Sequence, residues 1–367
     1  MINNFIFTLG LPGAGKSTYI EENYVNKMDM LEYIKYSGNP ISSTGTERAS
    51  IQEVCTNQSL LDRYIMHLID FRSQKYFDKN EVFIVSADEI KQYIEGYNRL
   101  NPQPVHEESV QLARKLVYLF SNSEVATRTG ANVLMDGGAI NNHYTMDILT
   151  ELKKKDTHIT EIFFDTPVEV CIKRIEKRER KVPLESIYDK NLKLVVCLNK
   201  YRDIVDEFIK VSYYTNKYIL LDMDGTIASY TSNIRYDMND NADFVNGEAF
   251  LHLRPVKHII DFVKEHYDMK NVYICSAVAN NIVWDEKNKW LDKYFPEIPK
   301  ENRLFCGNKD WKWVFVKQFA EHQGWKLNEV TLVDDLHATI KKCRANCINC
   351  IHPSNIEAIT DPYAILG

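Results

Sequence analysis

The chain has 367 residues, 44% hydrophobic and 26% charged, more than a single packed core ordinarily holds, so two domains of usual size are expected. No apolar run is long enough to cross a bilayer, and the start Met1–Thr8 reads as a first β-strand with none of the marks of a signal peptide, so a cytoplasmic protein without a membrane partner is expected. A formal net charge of −6 argues against broad adhesion to nucleic acid, though a local basic groove remains compatible with it.

In chain order, the apolar run Phe5–Leu9 leads into Gly10-Leu-Pro-Gly13-Ala14-Gly15-Lys16-Ser17-Thr18 and then a helix-like segment. The glycines let backbone N–H groups wrap phosphate oxygens, and a helix N-terminus favours anions. Lys16 reaches the terminal phosphates, and Ser17 offers a hydroxyl to Mg²⁺. This spacing after a strand predicts a nucleoside triphosphate site.

Strand-like runs follow at Val82–Val85, Asn132–Met135 and Ile159–Phe164, separated by amphipathic stretches, the pattern of a parallel sheet covered on both faces. Asp88, just past the first of these runs, and Asp136, ending the second, are placed at the rim of the sheet beside the phosphates. There Asp88 is positioned to take a proton from an acceptor hydroxyl and Asp136 to orient water or acceptor. Ser86 or Asp88 is equally suited to cap a helix. The basic run Lys173–Pro183, with Arg174 and Arg178, reads as a lid that stabilises charge on a phosphoryl group in flight, or as a solvated helix face. A long helical pattern spans Pro183–Lys210, and a domain boundary is expected near Ser212–Asn216.

The second α/β unit opens at Tyr218–Leu221 with Asp222-Met-Asp224-Gly225-Thr226. The first carboxylate can attack phosphorus, and the second can protonate the leaving oxygen and then activate water. Ser276 ends the strand-like Val272–Cys275, and Asp334-Asp335 ends Val330–Val333. Asp222, Asp224, Asp334 and Asp335 form the predicted Mg²⁺ set, with Thr226 and Ser276 on the phosphate. Among Lys309, Lys312 and Lys317, Lys312 is chosen as the catalytic lysine for its place near a helix start. The short distance from Asp222 to Ser276 leaves room for a small cap. Arg254 is placed near the mouth, and Trp284, Trp290, Trp311 and Trp313 are candidates for stacking on bases or for the core. Eight cysteines scattered in apolar runs read as reduced thiols; Cys343, Cys347, Cys350 and His352 lack the paired turns of a zinc site.

The strings GLPGAGKST, SADEIK, VLMDGG and CIKRIEKRERKVPLESI, in that order and followed by DMDGT, resemble the T-even bacteriophage polynucleotide kinase/3′-phosphatase family; the last motif with its serine, lysine and acidic pair resembles the haloacid dehalogenase superfamily. The resemblance implies two doubly wound α/β domains, a P-loop kinase over 1–212 and a haloacid dehalogenase-like phosphatase with a small cap over 213–367. It implies Lys16 and Ser17 on ATP, Asp88 as general base, Arg178 with Arg174 as lid arginines, and Lys91 where the family has an arginine that grips the acceptor. Val278 likewise stands where the family has an arginine. The segment between Lys16 and Asp88 is longer than in the family and includes the polar Ser37–Thr46.

The implied activity is bifunctional end healing: ATP-dependent phosphorylation of 5′-hydroxyl RNA or DNA ends and removal of 3′-phosphates. A nucleoside or small-metabolite kinase fused to a nucleotidase-like phosphatase, with small nucleotides as partners, competes with it. A non-catalytic nucleotide-gated interaction protein is disfavoured by the full carboxylate sets. Homo-oligomerisation is compatible with either enzyme.

Overall fold

The computed structural model describes residues 4–28, 51–72, 80–137, 139–140, 142–179, 182–229, 250–361 and 364. The Ser37–Thr46 stretch, Arg180 and Lys181 of the basic run, and residues 230–249 of the segment expected to form a cap lie outside these residues. The chain divides into two compact units, residues 1–211 and 212–367. Among the described residues no helix is long and apolar enough to cross a membrane.

The first unit is a six-stranded sheet: β1 (Asn4–Leu9), β2 (Val25–Met28), β3 (Glu81–Ser86), β4 (Asn132–Asp136), β5 (His158–Asp165) and β6 (Glu207–Ser212), in the order β2-β3-β4-β1-β5-β6. The registers from β2 through β5 are all parallel. Parallel strands covered on both faces read as near-continuous apolar runs, which is why Phe5–Leu9 and Ile159–Phe164 are legible as strands. β1 lies between β4 and β5, where the winding reverses, and such a switch point opens a crevice at the carboxyl ends of the strands. The expected helix over Pro183–Lys210 is corrected: the helix is Leu184–Tyr201, and Glu207–Ser212 forms β6. Its aromatic Phe208 and β-branched Ile209 and Val211 suit a sheet edge better than a helix end. Two short strands without a clear pattern, β2 and β6, therefore flank the set read from the sequence.

Glu161 sits in the middle of β5 opposite Phe7 of β1, fully buried, and neither carboxyl oxygen has a hydrogen-bond partner among the described residues. Burial pushes its pKa up to about 8 from 4.5. Below pH 4.5 both states are protonated; between there and pH 8 the unfolded chain loses a proton that the native state keeps, so stability falls as pH rises through this window. Glu161→Gln is expected to flatten this slope and to melt later than wild type at pH 8, by roughly a few kcal/mol. Parallel slopes for the two proteins in melts followed by circular dichroism would contradict it.

The second unit holds β7 (Tyr218–Leu221), β10 (Val272–Ala277), β11 (Arg303–Cys306), β12 (Val330–Val333) and β13 (Asn349–Ile351) in the order β11-β10-β7-β12-β13, all parallel, with a small antiparallel pair, β8 (Ala228–Ser229) and β9 (Arg254–Pro255). Successive side chains of β7 enter opposite cores: Ile219 and Leu221 pack with Ile259, Val263 and Trp290, whereas Leu220 packs with Val316, Leu332 and Ile340. That two-residue alternation with both faces apolar fixes the register, because a slip by one would exchange the two cores. The central strand β7 is again the switch point, so its carboxyl end, followed by Asp222, faces the crevice.

Candidate functional site

In the first unit the loop after β1 wraps back on itself before the helix Lys16–Asn23. Gly13 holds a φ of 84°, and a Cβ there would sit 2.9 Å from the carbonyl oxygen of Cys171, so only glycine lets the helix Val168–Glu176 close over the loop. A Cβ on Gly10 would meet Phe164 of β5 at 2.9 Å, while Ala14 is buried and Gly15 lies at a φ of 102°. Lys16 donates from Nζ to the carbonyl oxygens of Gly10 and Leu11, both at 2.9 Å, curling its ammonium into the loop that would receive phosphates. Burial lowers its pKa to about 8, against the pull of Asp136, while Lys190 and Arg178 add positive charge nearby. Ser17 and Thr18 are exposed on the first helical turn.

The pairing of Ser86 with Asp136 aligns the carboxyl ends of β3 and β4. Ser86 takes the capping role, accepting from the backbone N–H of Glu89, so the Asp88 carboxylate is not spent on the cap. Asp88 instead accepts from Lys91, whose side chain is 2% exposed beside an Asp88 side chain that is 69% exposed. Burial raises the pKa of Asp136; Lys16 opposes this and Asp88 adds to it, so the two carboxylates and the loop lysine share one field. His106, opening the helix His106–Asn122, joins this group: partial burial and the charge of Lys91 lower its pKa, with Asp88 acting the other way. Nothing in the local sequence singled out His106 as part of it. Arg174 donates from Nη1 to the carbonyl oxygen of Gly13 at 3.0 Å, and Arg178 follows one turn later, exposed. The loop after β4 is tied down by Tyr201, whose hydroxyl donates to the carbonyl oxygen of Ala139.

In the second unit the chain turns sharply after β7. Gly225 has a φ of 75°, and a Cβ there would come within 2.2 Å of Asp335, so glycine is what lets the β7 loop reach the β12 loop. Asp222 is 4% exposed and accepts through Oδ1 from the N–H of Met223 at 2.8 Å. Its Oδ2 lies 2.9 Å from Lys312 Nζ, which also donates to Asp334 at 2.7 Å. Burial alone would lower the pKa of Lys312, but Asp222 and Asp334 outweigh it and hold the ammonium well above the ordinary lysine range. Lys317 is exposed and paired with Glu321, and Lys309 is exposed in the preceding turn.

Asp222, Asp334 and Asp335 present carboxyl oxygens within 4.8 Å of one another. Burial and mutual repulsion raise the pKa values of Asp334 and Asp335. Crowded hard oxygens of this kind fit a small divalent cation, which would relieve that repulsion. The Asp224 carboxylate does not join this set, contrary to expectation: its Oδ2 accepts from Lys287 at 2.8 Å, and its Oδ1 is buried without a partner among the described residues. Burial pushes the pKa of Asp224 up to about 6, with Lys287 pulling the other way. Ser276 is fully buried, and its Oγ also accepts from Lys287; Thr226 is buried with an unpartnered hydroxyl.

Lys287 is the residue the sequence reading missed. Its signal was present, since it falls on the apolar stripe Val283, Lys287, Trp290 and Leu291 of the helix Asn281–Tyr294, where a lysine needs a buried partner. Of the tryptophans, Trp290 is core and Trp313 packs on the second core, whereas Trp284 and Trp311 are 48% and 63% exposed. Arg254 is exposed on β9. All eight cysteines are free thiols, and the cysteines near His352 form no metal-ligating group among the described residues.

No family model matches the chain. Among curated proteins it is similar to the putative 5′(3′)-deoxyribonucleotidase of Staphylococcus aureus (strain Mu50 / ATCC 700699), 28% identical over 26% of this chain and 69% of that protein. The putative 5′(3′)-deoxyribonucleotidase of Staphylococcus epidermidis (strain ATCC 12228 / FDA PCI 1200) is 24% identical over the same shares. Among solved structures, a chain of the Pnkp1/Rnl/Hen1 RNA repair complex aligns over 96% of each chain with 16% identity and a TM-score of 0.32. The N-terminal part of BF1531 from Bacteroides fragilis, containing a phosphatase domain complexed with Mg, aligns over 99% of this chain and 93% of its own, with 11% identity and a TM-score of 0.31.

Proposed function

We propose that the chain is a bifunctional end-healing enzyme, an ATP-dependent polynucleotide 5′-hydroxyl kinase in its first unit and a Mg²⁺-dependent 3′-phosphatase in its second. The observation that carries this reading recurs in both units: a lysine and carboxylates share one field at the carboxyl ends of the central strands, Lys16 with Asp136 and, through it, Asp88, and the buried Lys312 with Asp222 and Asp334.

In the kinase, the backbone N–H groups of the loop and Lys16, released from Gly10 and Leu11, hold the ATP phosphates. Ser17 is the hydroxyl available to the accompanying magnesium. Asp88 takes the proton of the acceptor hydroxyl, with Lys91 holding the carboxylate and meeting the acceptor's own phosphate as a point charge. Arg174 and Arg178 place positive charge on the transferring phosphoryl group.

In the phosphatase, Asp222 attacks phosphorus while Asp224 passes a proton to the departing 3′-oxygen, which leaves an aspartyl-phosphate on Asp222. Asp224 then takes a proton from water as that water attacks the same phosphorus, and inorganic phosphate leaves with Asp222 restored. Lys312 neutralises Asp222 so that an anion can approach it. Magnesium held by Asp222, Asp334 and Asp335 would supply further positive charge against the phosphate oxygens.

The likeness to deoxyribonucleotidases favours a second reading for the second unit, with free nucleotides as substrates. One experiment separates the two. The protein is incubated with labelled ATP and either 5′-hydroxyl oligonucleotides or nucleosides, and in parallel with 3′-phosphorylated oligonucleotides or mononucleotides. End healing requires turnover of the oligonucleotides in both arms; label on nucleosides alone, and phosphate released from mononucleotides alone, would replace it by nucleotide metabolism.

A further inference from the structure

We infer that Lys287 is a positioning residue of the phosphatase, clamping the Asp224 carboxylate through Oδ2 so that Oδ1 remains available to carry the proton. This rests on the phosphatase reading above and adds to it a residue with no assigned part in the chemistry.

The geometry is complete in itself. Lys287 is 0% exposed, and its ammonium makes three donations: to Asp224 Oδ2 at 2.8 Å, to Ser276 Oγ at 2.8 Å and to the carbonyl oxygen of Ala277 at 2.7 Å. An ammonium has three N–H bonds, so it is saturated. The ring of Phe250 lies 4.5 Å from Nζ and covers it. The helix that carries Lys287 is fixed at its start by Asn280, whose side chain accepts from the N–H groups of Ile282 and Val283 at 3.0 and 2.9 Å. A capped helix and the end of β10 thus hold in place the cation that donates to one oxygen of Asp224.

The other oxygen is left over. Asp224 Oδ1 is buried with no partner among the described residues, although a buried polar atom without a hydrogen bond is costly. Asp224 stands two residues after Asp222 in the same turn after β7, so its carboxylate belongs to the site on which phosphoryl transfer is proposed. Stability is a poor reason for this arrangement, because a buried ion pair seldom stabilises more than apolar side chains of the same volume. Orientation is the better one. A carboxylate free to rotate would exchange its oxygens and spend part of its time with the proton turned away from the leaving group.

The consequence is a dependence on the leaving group. An alkoxide, such as a sugar 3′-oxygen, needs a proton as the P–O bond breaks, whereas p-nitrophenolate departs without one. Lys287→Met is therefore expected to lower kcat/KM for a nucleoside 3′-phosphate on the order of 10²-fold while changing kcat/KM for p-nitrophenyl phosphate several-fold at most. Because Asp224 must also activate water, the variant should give a burst of p-nitrophenolate, one per active site, before a slow steady state. Lys287→Arg, which keeps charge and donors, should recover part of the loss.

Equal losses on both substrates, or no loss on either, would overturn the inference. Lys287→Gln is the second variant if Lys287→Met does not fold, and unfolding of both by circular dichroism would assign Lys287 to stability alone. Wild type that hydrolyses neither ester with Mg²⁺ present would instead refute the phosphatase reading on which the inference stands.

Discussion

Asp222→Asn is expected to abolish phosphate release, by on the order of 10⁴-fold or more, while ATP-dependent transfer continues at the wild-type rate. The substitution is nearly isosteric. The side-chain oxygen can still accept from the N–H of Met223, and Lys312 keeps its bond to Asp334, so the turn after β7 has no reason to rearrange. What disappears is the nucleophile, since an amide oxygen does not form the acyl phosphate. The groups proposed for the kinase all belong to the other unit and to a different sheet. Phosphate release from 3′-phosphorylated oligonucleotides and label transfer from ATP, measured on the same preparation, check both halves. Acid-quenched wild type should carry protein-bound phosphate that the variant lacks. Loss of both activities in a folded variant would contradict the division into two sites.

How much of this was legible in the sequence depended on whether a residue's role is local. The glycine-rich loop and the Asp222–Thr226 string are local, because backbone conformation and spacing alone bring their atoms together, and both fall after strands whose apolar runs are unmistakable. Lys312 was chosen among three lysines for its place near a helix start, and a stronger reason lay beside it. Lys312, Val316 and Ala320 form the buried stripe of the helix Lys312–His322, whereas Lys317 points to solvent and Lys309 lies in the turn before. Lys287 lies on such a stripe too, but its partners Asp224 and Ser276 come from two other segments, and no local pattern declares a contact of that kind. The same limit explains Asp224. A carboxylate two residues from the nucleophile looks like a metal ligand until the fold supplies a buried lysine that occupies it. The strand β6 was hidden for another reason: Glu207–Ser212 is short and follows a strongly amphipathic helix, so helical periodicity ran on past its true end at Tyr201.

Asp88→Asn is expected to lower kcat of the kinase by about 10³-fold with little change in ATP affinity. The asparagine can still accept from Lys91, so the acceptor side should hold its shape, but it cannot take a proton. On the kinase reading ATP binds at the loop around Lys16, whose ammonium bonds to the carbonyl oxygens of Gly10 and Leu11. Asp136 is the rival for the same role. Its half-buried position and its tie to the charge of Lys16 suit it to hold that lysine, and the proton acceptor should be the more open carboxylate, which is Asp88. Asp136→Asn should therefore weaken ATP binding as well as turnover, because the charge that opposes the lowering of the Lys16 pKa is gone. Equilibrium binding of ATP and single-turnover transfer for the two variants distinguish the roles. If Asp136→Asn lost only turnover and Asp88→Asn lost binding, the two assignments would have to be exchanged.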